Sequence, residues 1–261
     1  MIERLDKVLA HGGFGTRREV KKLIHSGRVA VNENVARDES VKIDSNVDAV
    51  FIDGKKLALT QFVYVMMNKP KDYVCANRDG LHETVFSLLD EKYRTPFFEN
   101  SLHLVGRLDR DTEGLLVFTT DGMLTHYVTS PRTHVGKTYF VKLAQKVDKK
   151  MQLTYAAQFN EGIHILPEGN ERACDCKPAA LMWHDEDAAE TDECKLIIYE
   201  GKFHQVKRMF AAIGNEVVYL KRIAIGGLLL DESLEVGQCR ALMENEVAAL
   251  KKIETPVVHT Q

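Results

Sequence analysis

The sequence predicts an α+β protein in two parts. A small module occupies residues 1–60, a larger domain occupies 61–250, and a loose tail covers 251–261. Three observations carry this. Strand-like segments outnumber helix-like ones after residue 60. Strands and helices do not alternate regularly and no internal repeat appears, so the larger sheet is expected to be antiparallel or mixed, flanked by helices, rather than doubly wound. Positive charge gathers in the first module, where Arg17, Arg18, Lys21, Lys22 and Arg28 face a single nearby acid, Glu19, while the whole chain carries a net charge of −3.

In the first module, Leu5, Val8 and Leu9 recur at helical spacing, and Gly12, Gly13 and Gly15 then break the helix. Thr16-Arg-Arg-Glu19 is a capping box, in which the threonine hydroxyl caps and the glutamate reaches back. Val20, Leu23 and Ile24 form the apolar stripe of the second helix, leaving Arg17, Arg18, Lys21 and Lys22 largely off that stripe. Ser26-Gly27 is its stop. Val29 and Val31 alternate as in a strand, Asn32-Glu-Asn34 turns the chain, and Asp53-Gly54 marks a hairpin.

In the second domain, residues 63–67 form a strand stopped by Asn68-Lys-Pro70. Strands follow at 102–106 and 114–120. Residues 123–128 suit a short helix ended by Ser130-Pro131. Residues 137–143 alternate as a strand. Residues 179–183 and 195–200 make a hairpin whose acidic run, 185–193, is its solvated tip. Residues 205–213 form a helix ending at Gly214-Asn215, and 217–220 and 228–230 are strands.

With 44% hydrophobic and 28% charged residues, the composition is that of an ordinary globular chain. The longest apolar runs are only about five residues, far short of a membrane span, and the charged start is unlike a signal peptide. Five cysteines at irregular spacing indicate reduced thiols and a cytoplasmic protein. Cys174-Asp-Cys176 has no second pair at matching spacing, so it reads as chance thiols rather than half a metal site.

Three constellations carry possible chemistry. In the first, Arg107, Asp109, Arg110, Asp111 and Thr112 lie between Gly106 and Gly114, flanked by apolar runs. Charged residues between buried segments are costly unless paired or used. If extended, Asp109 and Asp111 share a face, roughly 6.6 Å apart along the strand. That pair suits a glycosidase acid and base, a divalent-metal site, a single nucleophile, or simply a salt-bridged turn. The second is Glu200-Gly-Lys-Phe-His-Gln-Val-Lys-Arg-Met-Phe210, a strand leading into a helix with His204, Lys207 and Arg208 in its first turns. These can meet phosphate or hold a carboxylate ionised; the bland alternatives are a scaffold histidine and a solvated helix face. The third is Ser130-Pro-Arg132 followed by Lys137-Thr-Tyr139. A tyrosine in such a strand is ordinarily core, but it also offers a stacking surface worth about 1–3 kcal/mol per base.

These motifs carry a resemblance. Arg4-Leu-Asp-Lys7, Thr16-Arg-Arg-Glu19 and Gly27-Arg-Val-Ala-Val-Asn32 resemble an S4 RNA-binding domain over most of residues 2–46, with Thr16 where a serine is usual. Gly106-Arg-Leu-Asp-Arg-Asp-Thr-Glu-Gly-Leu115 resembles the signature of pseudouridine synthases of the RsuA branch, the ribosomal small-subunit type. Asn68-Lys-Pro70, Ser130-Pro-Arg132, Lys137-Thr-Tyr139 and Gly201-Lys-Phe-His-Gln-Val-Lys-Arg-Met209 match the branch's other motifs in order. The resemblance covers nearly the whole chain.

It implies the pseudouridine synthase fold behind an S4 domain, and isomerisation of a uridine in ribosomal RNA. Asp109 would be the catalytic aspartate and Tyr139 would stack on the target base. Lys207 falls where many relatives carry an arginine paired with the aspartate; it supplies the charge but not a bidentate fork, so Arg208 stays a second candidate for the pairing. Asp111 would support Asp109. Arg17, Arg18, Lys21, Lys22, Arg28, Arg107, Arg132, His204 and Arg208 would contact RNA. No cofactor and no metal are implied, since the reaction needs no donor or redox step. The expected partner is ribosomal RNA, 16S above all, free or in a pre-ribosomal particle, met by a monomer with no membrane association. Alternatives are 23S RNA, a non-catalytic ribosome-assembly factor, and a metal-dependent glycosyltransferase using Asp109 and Asp111.

Overall fold

A computed structural model of the chain describes residues 2–11, 14–44, 47–57, 62–94, 98, 101–184 and 188–252. Gly12 and Gly13, the acidic residues 185–187, residues 95–97, 99 and 100, and residues 253–261 of the tail lie outside the described residues. Two compact bodies form. One comprises residues 1–64, 89–103 and 118–122, the other residues 65–88, 104–117 and 123–261.

The first body opens with β1 (Ile2–Arg4), α1 (Leu5–His11) and α2 (Arg17–His25). The expected capping box is present. Glu19 N–H donates to Thr16 Oγ1 at 3.3 Å, and Thr16 N–H donates to Glu19 Oε2 at 2.8 Å. Four strands follow, β2 (Val29–Val31), β3 (Asn34–Ala36), β4 (Lys42–Asp44) and β5 (Val50–Ile52), with a two-residue β6 (Lys55–Lys56). β5 and β6 are joined through Asp53 and Gly54, both at positive φ, as a tight hairpin turn requires. Leu5, Leu9, Val20, Ile24, Val29, Ile43 and Val50 make the buried core. The apolar stripe of α2 thus turns inward, and its cations stay outside.

The second body is built on a mixed sheet, as the sequence predicts. Its strands are β7 (Tyr64–Lys69), β8 (Glu113–Thr119), β9 (Lys137–Asp148), β10 (Ala180–Trp183), β11 (Glu190–Ile198), β12 (Val217–Ile225) and β13 (Cys239–Ala241). They run in the order β10-β11-β9-β12-β8-β7-β13. β12 pairs parallel with β8 and antiparallel with β9. The helices are α3 (Gly122–Thr129), α4 (Lys149–Glu161), α5 (Gln205–Ala212) and α6 (Glu244–Ala249).

Three features depart from the sequence pattern. Residues 190–193 are not a solvated tip: they begin β11, and Lys142 across the ladder pairs with Asp192 at 3.7 Å and with Glu193 at 3.0 Å. Residues 149–161 form a helix that the apolar pattern does not announce; Asp148 caps it by accepting from Met151 N–H at 2.8 Å. Asp109 and Asp111 do not lie on an extended strand. β8 begins only at Glu113, and a turn closed by Thr112 N–H on the Asp109 carbonyl at 3.2 Å precedes it.

That turn leads into a close approach between two strands. Gly114 pairs with Arg222 across the parallel ladder, at φ +99°. A Cβ on Gly114 would lie 2.3 Å from the Arg222 carbonyl oxygen. No side chain fits there, and the backbone conformation disfavours one as well. Gly114→Ala is expected to cost about 2–4 kcal/mol, read as a lower midpoint in urea denaturation. An unchanged midpoint would show that the two strands can separate freely.

Candidate active site

The second body holds a cavity of 620 Å³ at the amino-terminal end of β8, lined among others by Arg107, Asp109, Lys137, Tyr139, His204 and Arg222. The turn carrying Asp109 is held from below by two buried cations. Lys69, fully buried, donates from Nζ to the carbonyls of Pro70 at 2.9 Å, Arg110 at 3.1 Å and Thr112 at 2.8 Å. Arg222, 2% exposed, donates from Nε to the Leu115 carbonyl at 2.8 Å and approaches the Arg107 carbonyl at 3.5 Å from Nη1. Leu108 N–H meets Cys75 Sγ at 3.4 Å. Burial pushes the Lys69 ammonium below its ordinary value. The three carbonyl dipoles are what make a cation tolerable there.

Held this way, Asp109 presents its carboxylate to α5. Lys207, on the first turn of that helix, stands 3.5 Å from Asp109 Oδ2 and 2.5 Å from Asp111 Oδ1. Partial burial works against the charge of Asp111, but the hydrogen bond and charge of Lys207 outweigh it and hold that carboxyl below its usual range. Asp111 is the more exposed of the two, with 63% of its side chain accessible against 29% for Asp109. The geometry therefore separates two carboxylates that look alike in sequence: Asp109 lines the cavity, and Asp111 anchors Lys207 from the solvent side.

The loop before α5 is shaped by Glu200, a buried carboxylate. It accepts from Lys177 N–H at 2.9 Å, Gln205 Nε2 at 2.9 Å and Lys202 Nζ at 2.5 Å. These bonds present Phe203 and His204. His204 sits in the left-handed region at φ 47°, an uncommon place for a side chain other than glycine. Its ring stacks on Phe203 with centroids 3.7 Å apart. Nδ1 contacts Glu168 at 2.9 Å, and Nε2 lies 3.9 Å from Asp109.

Arg208 is elsewhere. It is 7% exposed, and its guanidinium donates to the carbonyls of Leu166, Phe203 and Arg172. It is a scaffold residue, which corrects the expectation that it contacts RNA or pairs with Asp109. Its neighbour Lys207 faces the carboxylates instead. Arg107 and Arg132 are exposed. Tyr139, on β9, is 7% exposed and lines the cavity. In the first body, Arg17, Arg18 and Lys22 are exposed with no ion pair among the described residues, whereas Lys21 pairs with Glu39 at 3.1 Å and Arg28 pairs with Asp53.

Lys69 and Glu200 lie within motifs visible in the sequence that assign them no role, and Arg222 lies in none; all three build the site. Their signal was a charged residue inside an apolar strand or at its end. Among the described residues no group of three or more histidine, cysteine or acidic side chains is arranged to hold a metal ion, and Cys174 and Cys176 are free.

The chain matches the RNA pseudouridylate synthase family over residues 63–212 and the S4 domain over residues 3–48. It belongs to the RNA pseudouridylate synthases. A ribosomal small subunit pseudouridine synthase A of Vibrio cholerae is 43% identical to the synthase, the match covering 95% of this chain and all of that one. The Escherichia coli protein of the same name is 40% identical, covering 95% and 99%. An uncharacterized RNA pseudouridine synthase of Bacillus subtilis is 39% identical, covering 95% and 98%. A solved structure titled as a pseudouridylate synthase superposes with a TM-score of 0.62 at 38% identity, covering 95% and 99%. The α+β fold and the S4 domain read from the sequence agree with these matches. No described helix of the synthase is long and apolar enough to cross a membrane.

Lys137, at the cavity wall, gives a test of the site's electrostatics. Burial, with the Arg222 charge adding to it, pulls its ammonium down from 10.5 to about 8. The charged form is thus disfavoured in the folded protein, so the unfolded chain binds more protons between about pH 8 and 10.5 and folding is favoured as pH rises through that window. The stability of the wild type relative to Lys137→Met should rise from pH 7.5 to pH 10 in urea titrations. A pH-independent difference would contradict the buried charge.

Proposed function

We propose that Asp109 is the catalytic carboxylate for conversion of one uridine to pseudouridine in ribosomal RNA, and that this RNA is the 16S RNA of the small subunit. The observation that carries the reading is the position of Asp109. Its carboxylate lies in a cavity with Tyr139 on the wall and the Lys207 ammonium 3.5 Å away. The small-subunit assignment rests on the names of the Vibrio and Escherichia relatives, each matched over nearly its full length.

The reaction breaks the C1′–N1 bond, turns the uracil and rejoins it through C5. Every atom is kept, so no group donor or redox partner enters the balance. Asp109 acts as an anion on the ribose, and Lys207 supplies its counter-charge. Lys207 in turn is steadied by Asp111 and is a positioning residue. Tyr139 stacks on the target base, which must leave its own stack to reach the carboxylate. Arg107, Arg132 and His204 meet the RNA around the cavity. Residues 1–60 supply affinity through the phosphate contacts of Arg17, Arg18, Lys21, Lys22 and Arg28. Of these, Arg17, Arg18 and Lys22 contribute most, because Lys21 and Arg28 already face carboxylates. Residues 61–250 form the catalytic domain and 251–261 a tail. In this reading the synthase acts as a monomer in the cytoplasm, on free RNA or on a pre-ribosomal particle.

Asp109→Asn should retain RNA binding and lose pseudouridine formation by at least about 10³-fold, measured by pseudouridine mapping of treated 16S transcripts. Substantial product from the variant would sink the assignment. Replacing Arg17, Arg18 and Lys22 with alanine should weaken binding and flatten the dependence of log K on log salt by roughly two to three units of slope. An unchanged slope in filter-binding titrations would remove that helix from the RNA interface.

A further inference from the structure

Arg222 is a buried guanidinium whose hydrogen bonding is incomplete. Nε and Nη1 face the carbonyls of Leu115 and Arg107, but Nη2 has no hydrogen-bond partner among the described residues. No ion pair to Arg222 is present among them either. An unpartnered donor on a cation that is 2% exposed is costly. Two facts place Arg222 beside the base site. Arg222 lines the same cavity as Asp109. It is also the cross-strand partner of Tyr139 in the antiparallel β9–β12 ladder, and directly opposed residues project on the same face with Cβ atoms about 5 Å apart. A base stacked on Tyr139 therefore has its edge beside Arg222. Lys137, two residues before Tyr139 and on the same face, adds a second buried cation to this wall.

We propose that Arg222 is a catalytic residue whose Nη2 donates a hydrogen bond to a carbonyl oxygen of the target uracil and holds the base as an anion once it is detached. The inference rests on the assignment of Asp109 and Tyr139 above. When C1′–N1 breaks, the bonding pair stays with the base, giving a uracil anion with its charge spread over N1, O2 and O4. The deficit at the sugar is met by Asp109, either by a bond to C1′ or by taking the C2′ proton. After the base turns, C5 donates a pair to C1′ and Asp109 leaves or returns that proton. The C5 proton is then lost and N1 is protonated, so the sum is an isomerisation. Charge develops on the base oxygens only after cleavage begins, so a fixed donor aimed there favours the transition state over the bound substrate.

The test compares leaving groups. Single-turnover cleavage of C1′–N1 is followed on 16S transcripts made with uridine or with 5-fluorouridine, whose base is the more stable anion. Arg222→Gln should slow the uridine substrate by about 100-fold or more, with RNA affinity nearly unchanged. The loss should shrink about tenfold or more on the fluorinated substrate, because a better leaving group needs the donor less. Equal losses on both substrates would assign Arg222 to holding the turn alone and overturn the proposal, as would no loss on either. If Arg222→Gln does not fold, the same ratio is read on Arg222→Lys, which keeps the charge and lacks Nη2. Asp109→Asn is run beside them. If it is inactive and the Arg222 variants behave as wild type, this inference alone fails. If it is active, the underlying reading of the site fails.

Discussion

The site depends on two buried cations holding one backbone turn. Lys69 and Arg222 come from opposite ends of the second body's sequence, yet both donate to carbonyls between Arg107 and Leu115. A turn at the entrance to a buried strand leaves carbonyl groups with no ladder partner, and a buried ammonium or guanidinium leaves charge with no water. Each need answers the other. Loss of one partner would leave the other uncompensated, which is why such pairs are expensive to break although their net contribution to stability is modest. Gly114 completes the arrangement by letting β8 come against the backbone of Arg222. The turn has little freedom left, and Asp109 rides on it.

That rigidity gives two neighbouring aspartates different roles. Asp109 faces the cavity, whereas Asp111 faces outward and binds Lys207 more closely than Asp109 does. Lys207 is thus drawn to the carboxylate pair by the outer partner and held near the inner one. The opposing loop is equally fixed. Glu200 gathers three donors from residues 177, 202 and 205, and His204 is kept in a left-handed backbone conformation beside Asp109. Strain retained next to a reactive group is a common mark of a functional site. Here it places an imidazole and a phenyl ring at the cavity wall.

Local rules made much of this legible in the sequence. The Thr16–Glu19 capping box, the Asp53-Gly54 turn and the strand at Lys137 depend on neighbours within a few residues, and the structure contains each of them. Family motifs, rather than periodicity, singled out Asp109 from Asp111. What stayed hidden depends on distant partners. Arg208 looked like part of a solvated helix face, but the carbonyls of Leu166 and Arg172 take it into the core. Arg222 lies just past the strand expected at 217–220, and its carbonyl partners are more than a hundred positions away. α4 was missed because its buried side chains are Gln152, Tyr155 and Phe159, a stripe with too little apolar contrast to stand out. The sequence leaves the Asp109 segment open between an extended stretch and a salt-bridged turn, and the bonds from Lys69 and Arg222 to its carbonyls fix it as a turn.

In the proposed function this cavity, with its carboxylate on a clamped turn, makes pseudouridine in small-subunit ribosomal RNA. The most direct measurement is a pseudouridine map of all ribosomal RNA from cells lacking the protein, compared with the same cells carrying it again. One 16S position should be uridine without the protein and pseudouridine when it is restored, with every other position unchanged. An identical map in both cells, or a missing modification confined to 23S RNA, would contradict it.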